Sequence, residues 1–122
     1  MSKAQLAFNG YSQNGENVKD LRAQEYDVII GVTRDLKRVQ NNESATFNDV
    51  VKVVHKNERL WVAIAAQVAD EANALPTNLR ASLFSIAGFV SHHSTEVLKK
   101  KSDLNVLVDL NVSVLRGLRG AS

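Results

Sequence analysis

The chain is 122 residues long, a length that suits a single domain and leaves too few residues for two hydrophobic cores. Apolar residues make up 44% and charged residues 23%, as in an ordinary globular protein, while six glycines and one proline disfavour a turn-rich all-β fold. The net charge of +2 is too small an excess to indicate a nucleic-acid partner.

The absence of cysteine excludes disulfides and thiolate metal sites and suits a reducing compartment, so we expect a cytoplasmic location. The N-terminus lacks the apolar core of a signal peptide, and the least charged run, Ala81 to Thr95, is too short to span a bilayer. The sequence therefore predicts a soluble protein that makes no contact with a membrane.

Residues 1–15 mix Asn, Gln, Ser and Gly with isolated Leu6, Phe8 and Tyr11 and show neither helical nor strand periodicity. We expect a flexible N-terminal arm over this range, followed by one helical bundle domain over residues 16–120.

Apolar residues at helical spacing predict a first helix from about Glu16 to Gln40. Its core face consists of Val18, Leu21, Val28, Val32, Leu36 and Val39. At about 100° per residue, Glu25 falls in the middle of this face, where an unpaired carboxylate is costly. Glu25 should therefore have a partner.

A polar break over residues 41–44 precedes a second helix, which Thr46 or Asn48 can cap and which ends near residue 70. Its core face consists of Val50, Val53, Val54, Leu60, Trp61, Ile64 and Val68. Asn57 lies near the centre of that face, where its amide needs another side chain or a trapped water as a partner.

Pro76, with Thr77 or Asn78 as the cap, predicts the start of a third helix that ends at the three lysines 99–101. Its core face consists of Leu79, Leu83, Ile86, Val90 and Val97. Its flanks are also apolar, with Phe84, Ala87, Gly88 and Phe89. A helix that is apolar on more than one side needs cover on more than one side, from neighbouring helices or from a partner.

Ser102 or Asp103 can cap a fourth helix. Its core face consists of Leu104, Leu107, Val108, Leu115 and Leu118. Asn111 lies in the middle of this face, and Val106 and Leu110 lie on another face. Because short breaks make successive helices neighbours, the predicted fold is all-α, an antiparallel four-helix bundle.

Each predicted helix points one polar residue inwards, and these residues are Glu25, Asn57, Ser94 and Asn111. Such residues either form a buried hydrogen-bond network that fixes how the helices pack or contact a ligand directly. Arg59 and Arg80 are candidates to pair with Glu25 or Asp109. We assign the structural polar network to Glu25, Asn57, Arg59, Asp109 and Asn111.

The apolar residues outside the core faces favour a partner-binding surface on the third and fourth helices. We assign this surface to Arg80, Phe84, Gly88, Phe89, Val106 and Leu110. Gly88 costs a helix interior about 1 kcal/mol relative to alanine, which is explained if another helix or chain packs closely there. Alternatively, the arm or a neighbouring helix covers Phe84.

The sequence contains no catalytic, metal or cofactor motif, so we predict no enzyme activity and no cofactor. His92 and His93 are adjacent, and their side chains point about 100° apart on a helix, unlike an i, i+4 pair of metal ligands. We also find no phosphate-binding glycine loop, no nucleophile elbow and no carboxylate pair at a spacing typical of two-acid catalysis.

Four motifs lie within the stretch from about residue 22 to residue 118. They are Val32-Thr33-Arg34-Asp35-Leu36, Asn57-Glu58-Arg59-Leu60-Trp61, Asn73-Ala74-Leu75-Pro76 with Leu79-Arg80-Ala81, and Asp109-Leu110-Asn111. Together they resemble the FlaF family of alphaproteobacterial flagellar biosynthesis regulators. The resemblance implies an all-helical cytoplasmic protein that promotes flagellin production and export and opposes the flagellin-translation repressor FlbT.

We favour a chaperone or adaptor that binds flagellin at a terminal helical segment, with FlbT as a second candidate partner. One alternative is a regulator that contacts messenger RNA through Lys99–Lys101, Arg116 and Arg119. Another is a homodimeric bundle whose apolar strips cover each other, so both monomer and homodimer stay open. Salt distinguishes the first two, because phosphate contacts weaken steeply with added salt and apolar docking does not.

Overall fold

Four α-helices make up residues 17–120, the part of the chain that the computed structural model describes, with side chains described from 26 to 119. In chain order they are α1 (Asn17–Gln40), α2 (Phe47–Ala69), α3 (Thr77–Leu98) and α4 (Asn105–Gly120). No strand occurs within these residues, and the all-α prediction is confirmed. None of the four helices is both long and apolar enough to cross a membrane. The predicted arm over residues 1–15 lies outside the described residues and stays a prediction.

The helices form a ring in which each one packs against its two neighbours, and α4 closes the ring onto α1. Two side-chain hydrogen bonds show how α1 and α4 run: Asn111 bonds to Thr33, and Gln40 bonds to Asn105. Because the later residue of α1 pairs with the earlier residue of α4, these two helices run antiparallel. The other neighbours are joined by short connections and run antiparallel for that reason.

A capping box fixes the start of α2, and Thr46, one of the two caps predicted, forms it. The Asp49 amide donates to Thr46 Oγ1 at 3.1 Å, and the Thr46 amide donates to Asp49 Oδ2 at 2.9 Å. These hydrogen bonds with Thr46 hold the pKa of the Asp49 carboxyl below its ordinary value.

The starts of α3 and α4 differ from each other. Pro76 occupies the N-cap position of α3 with no side-chain hydrogen bond, so neither Thr77 nor Asn78 is the N-cap residue, although Asn78 Oδ1 accepts from the first-turn amide of Leu79 at 3.0 Å. The proline ring fixes the φ of this N-cap residue, at −55°. At α4, the Asn105 amide donates to Asp103 Oδ1 at 2.8 Å, which is one of the two caps predicted.

The C-terminal end of α3 places a lysine where glycine is usual. The amides of Lys100 and Lys101 donate to carbonyls of the last helical turn in the pattern of a Schellman motif. Lys100 has a φ of 60°, a left-handed conformation that costs a non-glycine residue about 1–2 kcal/mol. Its ammonium lies 4.5 Å from the ring centroid of Phe47, and this cation–π contact offsets part of that cost.

The core consists mainly of Leu, Ile and Val side chains from all four helices, with Trp61 as its largest member. On α1, Val32 and Leu36 are buried as predicted, but Val28 is 51% exposed and Ile29, at 1%, takes its place. The reason is angular drift at 3.6 residues per turn. Val28 lies eight residues before Leu36, about 80° from its direction, whereas Ile29 lies seven residues before it, about 20° away.

Candidate functional site

Hydrogen bonds join three helices in the centre of the core. Asn111 of α4, with no exposed surface, donates to Asn57 Oδ1 of α2 at 2.9 Å and to Thr33 Oγ1 of α1 at 3.1 Å. Its own Oδ1 accepts from Trp61 Nε1 at 3.0 Å, and the Thr33 hydroxyl donates to the Ile29 carbonyl at 2.6 Å. Both donors and the oxygen of the Asn111 amide are therefore in use.

The membership of this network differs from the prediction. Asn57 and Asn111 belong to it, but Arg59 and Asp109 are exposed and lie outside it. Arg59 and Asp109 each lie two residues from a buried asparagine. At about 100° per residue, their side chains point about 200° away from that asparagine around the helix, towards the solvent. The side chain of Glu25 falls outside the described residues, so its assignment stays a prediction.

Thr33 and Trp61 are the members that sequence reasoning missed. Trp61 lay on the predicted core face, and a buried indole N–H needs an acceptor. Thr33 follows a core position, and a threonine in a helix can satisfy its hydroxyl at the carbonyl four residues earlier. Ser94 is fully buried too, but its hydroxyl has no hydrogen-bond partner among the described residues, so the network does not extend to α3.

The connection between α2 and α3 is held by side chains that bind the last carbonyls of α2. Arg80 donates from Nε to the Val68 carbonyl at 2.9 Å and from Nη2 to the Asp70 carbonyl at 2.8 Å. Asn73 Nδ2 donates to the Gln67 carbonyl at 2.9 Å. Carbonyls at a helix end have no donor within the helix. Arg80, assigned to the partner surface from the sequence, is half-buried and holds this connection.

A groove lies on the bundle surface between α2 and α3. Its lining consists of Glu58, Trp61, Val62 and Ala65 from α2, and Phe84, Ala87, Gly88, Val90 and Ser91 from α3. Apart from Val90, these positions follow i, i+3, i+4, i+7 spacing on each helix, so each helix contributes one strip two turns long. The volume, about 210 Å³, is below the roughly 300–1,000 Å³ of small-molecule pockets. The groove therefore suits a few side chains of a docked segment.

Two large apolar side chains stand open to solvent beside this groove. Val62 is 70% exposed and Phe84 is 56% exposed, while Trp61 and Val90 are buried beneath them. A Cβ atom on Gly88 would meet no described atom within 4 Å. The sequence offered two explanations for this glycine, a helix of the same chain or a partner packed closely against it. A closely packed helix of the described chain is excluded, and a partner stays a prediction.

The other residues assigned to the partner surface lie elsewhere. Phe89 is 57% exposed, but it stands five residues after Phe84 and points about 140° away from it around α3. Val106 and Leu110 are half-buried, and Leu110 packs against the core. The apolar surface around Phe84 is thus completed by α2, through Val62, and not by α4 as predicted.

The basic residues considered for RNA binding do not form one patch. Lys99–Lys101 follow the C-terminal end of α3, whereas Arg116 and Arg119 lie near the C-terminal end of α4. Because α3 and α4 are antiparallel, these two groups lie at opposite ends of the bundle. From Asn105 to Arg116 the axis of α4 rises by about 17 Å, at about 1.5 Å per residue.

The two adjacent histidines stack edge to face, with ring centroids 5.2 Å apart. His93 is half-buried and His92 is exposed. Among the side chains that the structure describes, residues 26–119, no three His, Cys, Asp or Glu are arranged to hold a metal ion.

The family model described as flagellar protein FlaF matches residues 7–118. Searches of curated proteins and of solved structures gave no match. The family match covers nearly the whole sequence and reaches into all four helices, including the network of Asn57 and Asn111 and the groove between α2 and α3. The chain therefore belongs to the FlaF family of flagellar proteins.

Proposed function

We propose that this protein is a non-enzymatic chaperone or adaptor that binds flagellin and promotes its synthesis and export, in opposition to FlbT. The observation that carries the proposal is the groove between α2 and α3, at which Val62 and Phe84 are open to water. Covering apolar surface contributes about 25 cal/mol per Å², and contiguous exposed apolar residues are typical of interaction sites. Membership of a flagellar protein family supports a flagellar protein as the partner.

The shape of the groove favours an amphipathic helix as the bound segment. Two parallel strips, each two turns long, can accept side chains that recur at i, i+3, i+4 and i+7 on a docked helix. Both strips contain small residues, Ala65 on α2 and Ala87 and Gly88 on α3. Because these side chains project little from the helices, a partner backbone can approach closely. A terminal helical segment of flagellin held in this way would be kept from assembling before export.

A second copy of the chain is the alternative occupant that the same observation allows, because a homodimer would also cover Val62 and Phe84. The RNA-linked alternative gains no support from the placement of the basic residues at opposite ends of the bundle.

Isothermal titration calorimetry with monomeric flagellin tests the proposal. The titrants are full-length flagellin and two truncated forms that lack either terminal segment. We expect one flagellin per chain, a negative heat-capacity change from apolar burial, and loss of binding when one terminal segment is removed. Raising the salt from about 50 to 200 mM should weaken binding less than about tenfold, whereas extensive phosphate contacts would weaken it by about 10³-fold or more. Failure of every flagellin form to bind would contradict the proposal.

A further inference from the structure

We infer that Glu58 selects the bound helix by pairing with a Lys or Arg that the helix carries two turns from its apolar anchor. This inference rests on the proposed function and names the chemistry of the partner at the same groove. Among the described side chains that line the groove, Glu58 is the one charged residue. It lies at one end of the α2 strip, four residues before Val62 and seven before Ala65.

The carboxylate of Glu58 lacks a strong cationic partner within the described part of the chain. Its side chain is 30% exposed, but Oε1 is covered by protein and has no hydrogen bond. The ion pair described for it is with His55 Nδ1 at 3.4 Å, one turn earlier on the same helix, and His55 bears a charge only when protonated. His55 is thus the one charged neighbour described for the buried Oε1, and a docked segment reaches this carboxylate through the exposed 30% of the side chain.

Covering the groove changes the environment of this carboxylate. A docked helix that is wholly apolar would remove the remaining water from Glu58 and leave a charge without a partner, which is costly. A helix with a Lys or Arg at that point would replace the water by a charge-assisted hydrogen bond. Glu58 therefore rejects purely apolar segments, including apolar surfaces that Val62 and Phe84 alone would accept.

The geometry also gives the spacing that the partner needs. Because α2 and α3 are antiparallel, Glu58 lies at the same end of the groove as Ser91, and Ala65 lies at the same end as Phe84. The two ends are separated by about 10 Å, seven residues at about 1.5 Å each. The bound helix therefore carries its apolar anchor beside Phe84 and its cation about seven residues away in its sequence, beside Glu58.

Calorimetric titration of monomeric flagellin into Glu58→Gln and Glu58→Lys variants tests this inference. We expect Glu58→Gln to weaken binding about tenfold, the scale of one charge-assisted hydrogen bond, and Glu58→Lys to weaken it further by repulsion. The Glu58→Gln variant should also lose the salt dependence that remains in the parent protein. Glu43→Gln, which removes an exposed carboxylate outside the groove, is the matched control and should bind as the parent does.

Three outcomes would overturn the inference. If Glu58→Gln binds flagellin within about twofold of the parent while Phe84→Ala binds weakly, the groove is the site and Glu58 selects nothing, which leaves the proposed function standing. If neither variant changes binding, the groove is not the site. If sedimentation shows a dimer that Val62→Lys dissociates, a second copy of the chain occupies the groove.

Discussion

Asn111 and Asn57 meet across the diagonal of the bundle, with Nδ2 of Asn111 2.9 Å from Oδ1 of Asn57. The helices that carry them, α4 and α2, are not neighbours in the ring. The same Asn111 side chain bonds to Thr33 on α1 and to Trp61 on α2. These bonds form only when the three helices hold one position relative to each other along the bundle axis. The polar network therefore fixes the register of the helices as well as contributing to stability.

The two asparagines should therefore differ in their effect on stability. Asn111→Leu leaves Trp61 Nε1 and Asn57 Oδ1 without partners, and we expect a loss of about 2–5 kcal/mol, since each orphaned buried group costs about 1–3 kcal/mol. Asn57→Leu breaks one hydrogen bond and removes an Nδ2 that has no partner among the described residues, so its cost should be smaller. Urea denaturation measures both. Equal losses would mean that the network does not act through Asn111.

Arg80 should behave as a residue that holds the α2–α3 connection. Arg80→Ala removes both hydrogen bonds to the carbonyls of Val68 and Asp70, and we expect the free energy of unfolding to fall by about 1–3 kcal/mol. Arg80→Lys should recover only part of this, because an ammonium lacks the planar fork of the guanidinium. Flagellin affinity of the folded variants should not change. Weaker binding at unchanged stability would return Arg80 to the partner surface.

The ion pair of Asp35 predicts a pH dependence of stability. Lys56 Nζ lies 2.5 Å from Asp35 Oδ2, and its hydrogen bond, helped by the charges of Lys56 and Arg38, holds the pKa of Asp35 below its ordinary value. A carboxyl whose pKa is lowered by folding stabilises the fold at a pH above its pKa in the unfolded chain, about 3.9. This contribution is lost as the pH falls through the unfolded pKa and then through the lower pKa of the folded protein.

Asp35→Asn should therefore make the free energy of unfolding less dependent on pH under acidic conditions. Between about pH 5 and pH 2, the free energy of unfolding of the parent should fall more than that of the variant. The difference should stay below about 1 kcal/mol, because the pair lies at the surface and is screened by solvent. Parallel curves for the two proteins in urea denaturation at each pH would show that this pair contributes nothing.

Much of the bundle could be predicted from the sequence because the signals are local. Apolar spacing predicts each helix, Thr46 or Asn48 as a cap predicts the start of α2, and a polar residue in the centre of an apolar face predicts the burial of Asn57 and Asn111. Each of these depends only on residues within a turn or two of one another. The exposure of Val28 also follows from local geometry, because the 3.6-residue helical repeat turns its side chain away from the direction of Leu36 over the two turns between them.

The position of the groove could not be predicted in the same way. Periodicity shows which direction Phe84 points from the axis of α3, but a ring of four antiparallel helices can turn in either hand. The hand decides whether that flank meets α2 or α4. Only the assembled bundle brings Phe84 beside Val62 and separates it from Leu110. The hydrogen bonds of Arg80 to the end of α2 could not be predicted for a related reason, since the carbonyls that it binds become available only where α2 ends.

Gly88 should separate stability from binding. No described atom lies within 4 Å of a Cβ built there, so Gly88→Ala has room in the free protein and should stabilise α3 by about 0.5–1 kcal/mol. The added methyl group also raises the floor of the groove and should weaken flagellin binding. Thermal unfolding and calorimetric titration of the same variant measure the two effects. An alanine variant that is more stable and binds equally well would exclude close approach at Gly88.

The most direct measurement compares two phenylalanines on one helix. Phe84 and Phe89 are almost equally exposed, at 56% and 57%, so truncating either one to alanine should change the melting temperature little. Only Phe84 lines the groove between α2 and α3. In parallel titrations with monomeric flagellin, we predict that Phe84→Ala weakens binding at least about tenfold, as loss of an aromatic anchor does, and that Phe89→Ala binds as the parent does. Equal affinities for the two variants, or a loss confined to Phe89→Ala, would contradict the assignment of the groove as the flagellin site.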